Sequence, residues 1–116
     1  MGRNYSGDIE GKFWFALQSS TAGERFGAYE IDNNINYYAD DLEQAETEIK
    51  NIENKLKNKI KILDDFFKSN PAYSEKQIKA LGISQNELSD YADLKLGRKI
   101  RDCIKEQGDC SFDAEL

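Results

Sequence analysis

A chain of 116 residues with 33% charged side chains, 39% apolar ones and one proline fits a single helix-rich globular domain and argues against the disordered and fibrous classes. The formal charge of −6 opposes general binding to a phosphate backbone, so duplex nucleic acid is not an expected partner and only a local basic pocket would hold an anion. With no histidine, the Ser-His, Cys-His and imidazole acid–base routes are closed, and the expectation is a binder rather than an enzyme, without a cofactor or a zinc tetrad.

Residues 1–39 read as β and turn. A strand around Lys12 to Gln18 puts Phe13, Phe15 and Leu17 on one face, the expected core face. Trp14, Ala16 and Gln18 share the other, where Trp14 packs on a helix, on a second subunit or on a ligand. The polar connection SSTAGERFG follows, then AYEI and INYYA flank the turn Asp32-Asn33-Asn34, which predicts a small antiparallel sheet.

From Asp40 the period changes. Leu42, Ala45, Ile49, Ile52, Leu56, Ile60 and Leu63 recur at threes and fours, the seam of a coiled coil, and predict one long helix over residues 40–68. At 1.5 Å per residue it would span roughly 40 Å, and a second chain is the simplest cover for its seam. Acidic residues crowd its first turns and lysines its last, the order that the helix dipole favours.

Pro71 ends that helix. Ser74 with Gln77, and Ser84 with Glu87, form two capping boxes, so residues 74–107 read as a short helix and a longer one ending at Gly108. Residues 109–116 alternate Phe112, Ala114 and Leu116 and read as a returning strand. The expected fold class is therefore α+β, one domain over 1–116: a small antiparallel sheet with a long coiled-coil-like helix pair, in a symmetric homo-oligomer.

The segment IKALGISQNEL has the outline of a helix-turn-helix, but its second helix opens with Glu87, Asp90 and Asp93, which would repel a DNA backbone; it reads as a packed helical corner. The cations gather later, in LKLGRKIRDCIK. Arg98, Arg101 and Lys105 share one face of that helix, and Lys95 and Lys99 form a second row, an arrangement that suits a small phosphorylated ligand or plain solvation near a helix end. Gly97 within this helix marks close approach by another group. Arg25 sits between two glycines in GERFG, a second candidate anion contact. Cys103 and Cys110 are expected to be reduced structural thiols. No apolar run reaches the roughly 18 residues of a membrane span and no secretory apolar core opens the chain, so the expectation is a cytoplasmic protein with no membrane partner.

The segments YSGDIEGKFWFALQSS and LGRKIRDCIKEQGDCSFDAEL, with the heptad helix between them, resemble a family of small bacteriophage proteins, the anti-Thoeris sponges that capture cyclic ADP-ribose signals made by bacterial TIR-domain enzymes. The resemblance covers about half the chain. It implies an inert binder that sequesters a host immune nucleotide in the cytoplasm of the infected bacterium, with pockets at the interface of a dimer or a trimer of dimers and room in some members for cyclic oligonucleotides. By this resemblance the ligand would meet Arg25 and the run Leu96, Gly97 and Arg98; Arg101 of the cationic helix face and Trp14 and Gln18 of the second strand face are further candidate ligand contacts from the residue pattern. Tyr73 would sandwich the base opposite Arg98, where a phenylalanine is more typical. Two other readings stand beside it: a helical protein-interaction module, and a phage DNA-binding regulator using Ser84 to Arg98.

Overall fold

The alternation of Cys110, Phe112 and Ala114 with Ser111 and Asp113 makes the last strand two-faced, and that strand becomes the centre of the sheet. A computed structural model of the chain describes residues 4–13, 18–19, 21–31, 36–70 and 74–114. Its strands are β1 (Asn4–Gly7), β2 (Gly11–Lys12), β3 (Tyr29–Glu30), β4 (Asn36–Ala39) and β5 (Cys110–Ala114). They form one antiparallel sheet in the order β2-β1-β5-β4-β3. Between β2 and β3 a 3-10 turn covers Ala22–Phe26. The helices are α1 (Leu42–Leu56), α2 (Lys59–Ser69), α3 (Glu75–Ala80) and α4 (Gln85–Gln107). The class is α+β, as the pattern predicts.

On β5 the inward set Cys110, Phe112 and Ala114 is buried, and Phe112 stacks on Tyr37 of β4 with ring centroids 5.7 Å apart. Phe13 is buried against Tyr5, as expected, but it lies just past β2: the strand expected over Lys12 to Gln18 ends at Lys12, Gln18 is not in a strand, and residues 14–17 lie outside the described residues. Phe15, Leu17 and Leu116, the other expected core residues of the two ends, lie outside the described residues. Cys103 and Cys110 are free thiols buried where α4 hands over to β5.

The expected single helix over 40–68 is two. At Lys57 the backbone takes φ 52° and ψ −126°, and α2 restarts after Asn58. The apolar spacing runs through this point unbroken, so periodicity alone cannot show the break; in the local run ENKLKNK only Asn54 and Asn58 disfavour helix, and the other five residues favour it. The seam is covered within the chain: Ala45, Ile49, Ile52, Leu56 and Leu63 are buried in the common core, with α1 packed along α4. A second chain is therefore not needed to bury it. Because positive φ suits glycine and strains lysine, Lys57→Gly should stabilise the protein by about 1 kcal/mol, read as a higher denaturant midpoint at unchanged slope.

Both capping boxes form. Ser84 accepts the Glu87 N–H while the Glu87 carboxylate accepts the Ser84 N–H, and the same carboxylate is paired with Lys59 of α2. The Lys59 bond first, and the Ser84 bonds after it, hold the Glu87 carboxyl below its ordinary 4.5. Since the folded value lies below the unfolded one, this stabilisation is present above the ordinary value and is lost as pH falls through the folded one. Glu87→Gln should lower the melting temperature at pH 7, and the difference should shrink as pH falls below 4.5, which paired thermal melts would check.

Candidate functional site

Residues of α2 and α4, with Tyr5 of β1 and Lys12 of β2, line a cleft of about 680 Å³. Five exposed lysines line it: Lys12 from β2, Lys61 and Lys68 from α2, Lys95 and Lys99 from α4. Against them stand Asp64 and Asp65, so the cleft carries three net positive charges inside a chain whose total is −6. Lys61 and Lys68 are seven residues apart and Lys95 and Lys99 four, spacings that put each pair on one helix face.

The floor is aromatic. Phe67 stacks on Tyr91 at 5.9 Å with an interplanar angle of 18°, and Tyr5 forms the far end. Lys95 lies 4.9 Å from the Tyr91 ring centroid and Lys99 5.2 Å from that of Tyr5, so two of the ammonium groups are steadied over ring faces. Lys99 also donates to Tyr5 Oη at 3.0 Å and to the Glu10 carbonyl at 2.9 Å. Tyr91 donates its hydroxyl to Asp64 Oδ1, which also accepts from Lys95 at 3.0 Å. Burial first, then Asp64, pushes the Tyr91 hydroxyl well above its usual range, which makes it a hydrogen-bond donor and not a base. Concentrated positive charge, flat apolar surface and an opening of this size suit a small phosphorylated molecule carrying a planar ring.

Arg25 lies elsewhere. The 3-10 turn aims it between α1 and α4, where Nε meets Glu48 Oε2 at 2.6 Å and Nη1 meets Asp93 Oδ2 at 2.8 Å and Asp90 Oδ1 at 3.0 Å. Lys55 reaches Asp90 Oδ2 at 2.8 Å, and Gln18 donates Nε2 to Asp93 Oδ1 at 3.0 Å. Burial pulls the guanidinium down, but the bonds to Glu48, Asp93 and Asp90 outweigh it and hold the group above its ordinary value. Burial also raises the Asp93 carboxyl, against the opposing pull of Arg25 and Gln18. The acids that open α4 thus bind the chain's own cations, which gives the helical-corner reading of that segment a physical basis.

The remaining candidates divide. Leu96 is buried and lines the cleft, and Gln18 sits at its wall. Gly97 is buried too, but the group that approaches it is the Phe26 ring. Arg98 pairs with Glu53 at 2.9 Å and Arg101 with its neighbour Asp102 at 2.9 Å. Arg98 is near enough to the cleft for its charge to act on Asp64 and Tyr91. Arg25 and Arg98 hold different carboxylates, Arg25 those of Glu48, Asp90 and Asp93 and Arg98 that of Glu53. Trp14 and Tyr73 lie outside the described residues. What the sequence did not single out is Lys12, Lys61, Lys68, Phe67 and Tyr5; the seven-residue spacing of the two α2 lysines was the available signal. No protein-family model matches the chain, and no curated protein or solved structure matches it significantly.

Proposed function

We propose that the protein binds and withholds a small phosphorylated nucleotide, of the cyclic ADP-ribose type that the sequence resemblance implies, without cleaving it. One observation carries this reading: a cleft with three net positive charges and a stacked aromatic floor in a chain that is otherwise acidic. Lysines on both walls would take the phosphates, the Phe67–Tyr91 surface would take the base, and Leu96 would seal the cleft from beneath. Arg98 borders the site and Arg25 supports it indirectly, through Asp93 and Gln18. Withholding a signal calls for nanomolar affinity, about −12 kcal/mol, and no chemistry. By the same resemblance the binder would act in the cytoplasm of an infected bacterium as a homo-oligomer, an expectation that light scattering of the purified protein would check.

Calorimetry with cyclic ADP-ribose tests the reading. Tight binding is expected in the wild type, a loss of at least tenfold in the Lys61→Ala/Lys68→Ala double variant, and release of the intact nucleotide on denaturation. Absence of heat with the wild type, or affinity untouched by the double variant, would overturn it.

A further inference from the structure

The five lysines of the cleft differ in what they already hold. Among the described residues no carboxylate pairs with Lys12, Lys61 or Lys68, and Lys99 is tied to a hydroxyl and a carbonyl. Among the described residues only Lys95 of the five has a carboxylate on it, Asp64 Oδ1 at 3.0 Å, reaching from α2 across to α4. We infer that Asp64 is the resident counter-ion of the cleft, a carboxylate that occupies the position on Lys95 which an anionic group of the ligand takes on entry. The inference rests on the anion-binding reading of the cleft and deepens it, because it says which anions enter.

Three observations carry it. Asp64 Oδ1 accepts from both Lys95 and the Tyr91 hydroxyl, so one oxygen already satisfies the two donors that an incoming phosphate oxygen would meet. The contact bridges the two walls, joining α2 to α4 across the cleft. Both partners are part-exposed, Lys95 at 44% and Asp64 at 37% of the side chain, so water screens the pair and exchange is cheap. Burial opposes ionisation of Asp64, but the bonds from Tyr91 and Lys95 prevail and hold its carboxyl below the ordinary range, so it remains a competing anion at neutral pH.

The exchange sets a threshold on the ligand. An incoming carboxylate replaces one single-charged oxygen pair with another and gains little. A phosphate brings more charge and three acceptor oxygens, enough to engage Lys95 and reach Lys61 or Lys68 at once. Asp64 therefore favours phosphorylated ligands over the abundant carboxylates of a cell.

The test uses inorganic pyrophosphate as probe, titrated calorimetrically into wild type, Asp64→Asn, Lys95→Met and the Asp64→Asn/Lys95→Met pair. Asparagine keeps an oxygen that accepts from Tyr91, so the fold is retained, and a thermal melt verifies it. Removing one negative charge a few ångströms from the bound anion should tighten binding roughly tenfold in Asp64→Asn, and malonate, a dicarboxylate, should begin to compete. In the Lys95→Met background only the relief of charge repulsion is left, so the same change should bring a clearly smaller gain. Equal or weaker pyrophosphate binding by Asp64→Asn, or a gain just as large without Lys95, would overturn the inference while leaving the binding site intact. No pyrophosphate binding by any of the four proteins would overturn the cleft reading, and this inference with it.

Discussion

Arg25→Met should cost about 3 kcal/mol of folding stability, measured as a lower denaturant midpoint at unchanged slope, whereas Arg98→Ala should cost less than about 1 kcal/mol. The difference comes from what each guanidinium leaves behind. Arg25 joins the 3-10 turn to α1 through Glu48 and to α4 through Asp90 and Asp93, and those two aspartates keep only 10% and 12% of their side-chain surface in contact with water. Methionine fills the same space but leaves carboxylates with no cation from the turn, and Lys55 reaches only Asp90. Glu53, the partner of Arg98, is 39% exposed and is simply rehydrated when the arginine goes. The deficit should also depend on pH. Burial already raises the Asp93 carboxyl, and without Arg25 it rises further. A raised folded value favours the protonated folded state, so the loss is smallest below the ordinary aspartate value of 3.8 and grows as pH climbs through the raised one. A loss under about 1 kcal/mol at pH 7 would mean that the clasp is no more than a surface ion pair.

Local chemistry made much of this fold legible. The capping boxes at Ser74 and Ser84, the Gly108 stop, the antiparallel pairing of β3 with β4 and the two-faced last strand each depend on residues within a few positions of one another, while the expected turn Asp32-Asn33-Asn34 lies outside the described residues. Where the answer depended on a distant partner, the same reasoning fell short. The α1 seam has coiled-coil spacing whether the helix opposite is another chain or α4, and only the folded chain shows that it is α4. The centre of the sheet goes to β5 because β1 and β4 both pair with it, which no local pattern states. The two helical rows of LKLGRKIRDCIK are legible in the sequence, but not which of them meets a cleft: Lys95 and Lys99 line it, while Arg98 and Arg101 find carboxylates on Glu53 and Asp102. The second cationic wall, Lys61 and Lys68, is about thirty residues earlier, where the sequence offers helix-dipole compensation as a role for Lys61 and none for Lys68.

Gly97→Ala is the sharper probe of that helix, with an expected loss of about 2–3 kcal/mol even though alanine favours a helix interior over glycine by about 1 kcal/mol. A Cβ at this position would stand 2.6 Å from Phe26 Cδ1 and Cζ, well inside contact, and Phe26 is fully buried. Glycine is present because an aromatic ring from the 3-10 turn packs directly against α4. The ring is fully buried, and moving it would drag the adjacent Arg25 from its three carboxylates. The cost should therefore be coupled to Phe26: Phe26→Leu alone loses about 1–2 kcal/mol through the space it empties, and in its presence Gly97→Ala should cost little, a departure from additivity that a double-mutant cycle measures directly. Were Gly97 instead kept small for a ligand, the alanine variant would unfold at or above the wild-type midpoint and lose only affinity for cyclic ADP-ribose. A fall in midpoint that Phe26→Leu relieves places this glycine in the packing that holds the turn to α4.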